Sequence, residues 1–179
     1  MRTFFLGLIL LLTLAIPTKA DLSIDGPKNL LNLINQTYEK MPERGKSNKV
    51  TVHVISQKTM SEREGEGVLG VYYLQSHEFW IVDTEEYVDF VFAHEYSHFI
   101  YFEVFTDEER AEWNVFWNNW SGQGLLPRDY AEVNEVEGFA ECMMMSYIGR
   151  VPEWYKPLYP EIEAEVKTLI HDKYSLHRT

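Results

Sequence analysis

A chain of 179 residues, 45% hydrophobic, has enough apolar material to bury one sizeable core and too little length for two. Its 28 acidic residues against 16 basic ones give a net charge of −12. That balance excludes nucleic acid as a partner, because neutralising phosphate dominates such binding. The lone cysteine, Cys142, excludes an internal disulfide.

Residues 1–20 read as a signal peptide. Arg2 supplies the positive start, Phe4 to Ile16 the apolar stretch, and Thr18-Lys19-Ala20 a small-residue cleavage site before Asp21. Thirteen apolar residues are too few to span a bilayer, which takes about twenty. An anchor that is never cleaved is the competing reading. The expectation is an exported protein, extracellular or periplasmic, with one domain over residues 21–179 and no stable membrane insertion after cleavage. Cleavage removes Arg2 and Lys19 and no acidic residue, so 14 basic residues face 28 acidic ones and the mature charge is −14.

Asp25-Gly26-Pro27 ahead of Leu30, Leu31, Leu33, Ile34 and Tyr38 reads as a capped amphipathic helix. Lys49 to Ser56 alternates Val50, Val52 and Val54 with Thr51, His53 and Ile55, the period of a strand, and makes His53 a sheet-surface histidine. Gly67 to Gln75 and Phe79 to Asp83 read as two more strands joined by Ser76-His77-Glu78, with His77 exposed in the turn. Thr84-Glu85-Glu86 offers an N-cap and an acidic first turn. The helix it opens is apolar around most of its circumference, through Val88, Phe90, Val91, Phe92, Phe99, Ile100 and Phe102, as a helix in the middle of a core is.

Thr106-Asp107-Glu108-Glu109 is a capping box for a helix carrying Trp113, Phe116, Trp117 and Trp120. That aromatic stripe reads as core packing rather than a substrate platform. After a loop at Gly124 to Pro127 and then Tyr130, a further helix runs from Asn134 to its stop at Gly149. A last amphipathic helix covers Pro160 to Tyr174, and His171 and His177 in this tail have no motif around them. The elements predict an α+β fold, with a small mixed sheet packed on the central helix and a helix-rich C-terminal half.

The chemistry is concentrated in His94-Glu95-Tyr96-Ser97-His98. Histidines four apart on a helix share a face, so both imidazoles can bind one Zn²⁺ while Glu95 stays free to take a proton from water. Zinc then needs a third protein ligand and an open fourth position. Glu137 and Glu141 share one face of a later, otherwise apolar helix. They read as a ligand, Glu137, and a carboxylate that accepts a hydrogen bond from a ligand histidine, Glu141. The plainer alternative makes both of them surface glutamates. Cys142 lies in an apolar run beside a carboxylate and reads as buried and unreactive.

These two motifs resemble the gluzincins, zinc peptidases whose third ligand is a glutamate on a later helix. Asp129-Tyr130 with Asn134-Glu135-Val136-Glu137-Gly138-Phe139-Ala140-Glu141 is similar to the families of the anthrax lethal factor catalytic domain and the secreted Pro-Pro endopeptidases. Glu137-Gly138-Phe139-Ala140 is also similar to the ligand segment of zinc aminopeptidases. The resemblance spans residues 84–145. It implies a zincin-like fold in which an edge strand, here Val68 to Leu74, pairs with substrate backbone. It also implies that Tyr130, seven residues before Glu137, stabilises the oxyanion. The expected function is that of a secreted zinc endopeptidase acting on a peptide or protein substrate. The alternatives are an exported effector protease with one target, and a zinc-binding module that cleaves nothing.

Overall fold

The computed structural model describes residues 22–46, 48–148 and 155–171. Alternation at Val50–Ile55 (β2) puts Val50, Val52 and Val54 on the buried face of a four-stranded sheet. The other strands are Leu22–Asp25 (β1), Gly70–Tyr73 (β3) and Glu78–Val82 (β4), in the order β1-β2-β4-β3. β1, β2 and β4 run parallel, while β3 pairs antiparallel with β4 and forms an outer edge. Between β3 and β4 the chain turns through His77, whose φ of 54° lies in the left-handed region.

Helix Lys28–Lys40 (α1) connects the first two strands and packs, with Val88–Phe99 (α3), on the apolar face of the sheet. Phe79, Phe92, Tyr96 and Phe99 are fully buried there, and Tyr38 reaches Tyr96 with ring centroids 5.6 Å apart. Each such ring contributes about 1.5–3 kcal/mol by leaving water. A second layer is built by Asp107–Trp120 (α4), Glu135–Ile148 (α5) and Pro160–His171 (α6). Here Phe139 lies 4.8 Å from Phe105 and 5.4 Å from Trp113, which ties α5 to the start and middle of α4. Among the described residues, no helix is long and apolar enough to cross a membrane.

The architecture is the expected α+β one, with several local corrections. β1 is a strand that the sequence does not announce, and Asp25 ends it rather than capping α1. α1 starts behind Pro27 with no side-chain cap. Gln57–Glu64 (α2) is a second element without a sequence signal in its apolar pattern. Only Met60 of it is buried, so it has no apolar stripe, and its mark is Ser56 Oγ accepting from Thr59 N at 3.1 Å. α3 begins three positions later than the Thr84 cap implies. Thr84 contributes its carbonyl oxygen, to Tyr87 N at 3.1 Å and Val88 N at 2.8 Å, and Tyr87 stands at the cap position without a side-chain capping bond. Beyond Phe99 the helix widens into a π-helical turn, Ile100–Val104.

The capping box forms as expected, with Thr106 Oγ1 accepting from Glu109 N at 3.2 Å and Glu109 Oε2 from Thr106 N at 2.8 Å. Arg44 also grips both oxygens of Glu109 at 2.8 Å. Residues 1–20, Gly149, Tyr174 and His177 lie outside the described residues.

Candidate metal centre

α3 and α5 pack directly where the two layers meet, and polar groups of both helices come together at that contact. The four-residue spacing stacks His94 over His98, with Nε2 atoms 3.1 Å apart and ring planes crossing at 84°. On α5, Asn134 Oδ1 accepts from Val136 N at 3.0 Å and Glu137 N at 2.9 Å. This cap holds Glu137 in the first helical turn, where the helix dipole favours a carboxylate. Glu137 Oε2 then lies 3.1 Å from His94 Nε2 and 3.5 Å from His98 Nε2.

Two nitrogens and one oxygen thus form a triangle with sides of 3.1, 3.1 and 3.5 Å. Bonds of 2.0–2.1 Å in a tetrahedral zinc site require donors about 3.3 Å apart. Glu137 Oε2 is buried and has no hydrogen-bond partner of good geometry, although both imidazoles lie close to it. The donor set and its spacing fit Zn²⁺.

Behind the triangle stands Glu141, fully buried, with Oε1 3.1 Å from His94 Nδ1. Arg128 holds the same carboxylate, with Nε donating to Oε2 at 2.9 Å and Nη2 to Oε1 at 2.5 Å. Burial opposes charge on both Glu137 and Glu141, but His94 reverses the balance and holds both below the usual carboxylate range, with help from His98 and Arg128 respectively. Burial likewise opposes a charge on His94, and the two carboxylates outweigh it to raise that pKa to about 10. A metal held there would displace the proton. His98 Nδ1 is buried with no hydrogen-bond partner.

Glu95 flanks the histidine pair on α3 and lies against the edge strand. Burial pushes its pKa up, opposed by His94 and His98, and the backbone N–H of Tyr72 reaches the carboxylate. Gly70 makes room for it: a Cβ there would stand 2.7 Å from Glu95 Oε1 and would also strike Val91.

Tyr130 lies in a single 3₁₀ turn, Asp129–Glu132, at the mouth of the site. Two tryptophans of the aromatic stripe fasten this connection. Trp117 Nε1 donates to Ala131 O at 2.9 Å, and Trp113 Nε1 to Glu135 O at 2.6 Å. Trp117 passes over Gly138, where a Cβ would come within 2.5 Å of its indole nitrogen. The Tyr130 ring is 6.0 Å from that of His94 and partly exposed. Burial and the neighbouring Glu137 carboxylate raise its pKa to about 12, so it remains a donor at neutral pH.

Clefts of about 380 and 470 Å³ flank the triangle and share Gly70, His94, Glu95 and Tyr130. The first is walled by Val68, Leu69, Phe90, Val91 and Met144, and β3 forms a rim of both.

The structure therefore brings His94, Glu95, His98, Tyr130, Glu137 and Glu141 to one place. Sequence reasoning missed Arg128, the capping role of Asn134 and the space at Gly70. Cys142 is buried, and burial with the nearby Glu141 pushes its thiol pKa well up. His53 stays on the sheet surface, stacked 4.4 Å from Trp80, and His77 sits near Glu103. Compared with known protein families and with characterised proteins, the chain matches none, so the case for its chemistry rests on these side chains.

Proposed function

We propose that this chain is an exported zinc endopeptidase. The observation that carries the reading is the triangle of His94, His98 and Glu137 with a free, buried carboxylate, Glu95, beside it at the floor of an open groove. Bound at such a set, zinc acidifies water from a pKa of 15.7 toward about 7 and polarises a carbonyl.

The protein groups divide the remaining work. Glu95 takes a proton from the attacking water and delivers it to the departing amine. Its burial supports this role, since a carboxylate with a raised pKa is a better acceptor near neutrality. The Tyr130 hydroxyl donates to the oxygen of the attacked carbonyl as charge develops, a contribution typically worth about 3 kcal/mol per donor. β3, an outer edge of the sheet that rims both clefts, gives an extended peptide backbone a strand to pair with. A zinc module that only stiffens a fold needs neither the free glutamate nor the open groove.

A fluorogenic peptide library tests the reading. The purified chain with one equivalent of zinc is expected to cleave, and a chelator is expected to stop it reversibly. Absence of zinc binding, or cleavage that a chelator leaves untouched, would overturn it.

A further inference from the structure

We propose that Arg128 is a positioning residue whose guanidinium fixes both the His94 imidazole, through Glu141, and the ring of Tyr130. The part concerning Tyr130 rests on the zinc-peptidase reading, whereas the part concerning His94 does not.

Glu141 is a fully buried carboxylate in a layer of aromatic and methionine side chains, a setting that charge tolerates only when paired. Arg128 meets it fork to fork, through Nε and Nη2 on separate oxygens. A third group, the Tyr155 hydroxyl, also bonds Glu141. With these partners in place, Oε1 is presented to His94 Nδ1 at 3.1 Å, which sets the rotation of the ring and leaves Nε2 aimed at Glu137 and His98. The same guanidinium lies 4.8 Å from the Tyr130 ring centroid and 5.0 Å from that of Tyr155. It lies over both rings, within cation–π range of each. One side chain thus touches the support of a metal-binding nitrogen and the ring that carries the oxyanion donor.

Arginine is required for this arrangement. A lysine would keep the charge but offers a single point donor, so it cannot hold two oxygens in a plane or lie flat against two rings. Arg128 precedes Tyr130 by two residues, so its anchoring also restrains the backbone of the 3₁₀ turn.

The test uses the full purified chain as Arg128→Lys, Arg128→Ala, Glu141→Gln and the double variant Arg128→Ala/Glu141→Gln. Zinc affinity is measured by competition with a chelating dye, and the His94 ring by ¹⁵N NMR of histidine-labelled protein with and without zinc. Both Arg128 variants are expected to bind zinc roughly 10–100-fold more weakly and to move the His94 ring signals. Against the peptide that the wild type cleaves, kcat should fall with KM little changed. In the Glu141→Gln background, Arg128→Ala should cost no more than about twofold further in affinity, because the two act as one unit. Unmoved His94 signals with zinc affinity within about twofold of wild type would overturn the proposal, and so would additive losses in the double variant. If the wild type binds no zinc, the metal reading falls separately and the ring signals still decide the role of Arg128. If Arg128→Ala does not fold, Arg128→Lys, which keeps the charge and loses the fork, decides between the two outcomes.

Discussion

Gly70→Ala is the sharpest single perturbation of this site, because it adds one methyl group and removes no chemical function. That methyl would stand 2.7 Å from Glu95 Oε1 and 3.0 Å from its Cγ, and it would strike the Val91 methyl. Ordinary contact begins at 3.4 Å, so the carboxylate must retreat by about 0.7 Å and the Val91 methyl, at 2.4 Å, by about 1 Å, or the edge strand must lift by about 1 Å. A 1 Å misplacement of a reacting group can cost about 10²-fold, so kcat should fall by roughly 10- to 10²-fold. Overpacking costs about 1–3 kcal/mol, and the smaller entropy of an unfolded alanine returns about 0.4–1 of it. At about 2–4 °C per kcal/mol for a chain of this size, Tm should drop by a few degrees. Zinc stoichiometry should stay at one, since none of the three donors touches Gly70. Steady-state kinetics, scanning calorimetry and metal analysis on the same preparation read all three. A variant with wild-type kcat and an unchanged Tm would refute the claim that β3 presses on Glu95.

Glu95→Gln should retain the metal and the fold while abolishing cleavage, because it removes a proton acceptor and no ligand; near wild-type turnover would assign the base elsewhere. Glu137→Ala should lose both zinc and activity, and dye competition showing undiminished affinity would move the third ligand to Glu141 or Glu135. Tyr130→Phe should lower kcat and kcat/KM together by roughly 10²-fold with KM little changed and zinc content intact. An unaltered kcat would make Tyr130 a packing residue.

How much of the site is legible in the chain depends on how far apart the cooperating residues stand. His94 and His98, like Glu137 and Glu141, are neighbours on single helices, so a spacing of four places them together without any knowledge of the fold. The aromatic stripe of α4 and its capping box are local in the same sense. Arg128 belongs to another class. It reaches Glu141 from a loop outside α5, and nothing in its neighbours says that a buried glutamate needs it. The space at Gly70 is likewise a tertiary fact, since the glycine has no left-handed torsion and looks like any strand-end residue. β1 escapes notice because it is four residues long and exposed on alternate positions, and α2 because all of it but Met60 is solvated. The start of α3 is misjudged from sequence because a side-chain cap is inferred where a backbone carbonyl does the work.

The charge balance where α3 meets α5 supports the proposed divalent ion over a purely structural polar cluster. Glu95 and Glu141 are buried and Glu137 is partly buried, while Arg128 is the permanent cation paired with this group among the described residues. With all three ionised, three carboxylates against one guanidinium leave two negative charges in excess. An excess of that kind in a low-dielectric interior costs several kcal/mol per ion unless it is compensated. A proton on His94 cancels one charge and leaves Glu137 Oε2 without a well-aligned partner. A doubly charged cation among the three donors cancels both and gives that oxygen a partner. It also leaves Glu95 uncoordinated and ionisable, the one carboxylate of the three not tied to a histidine or an arginine and the one that the proposed chemistry requires to move a proton.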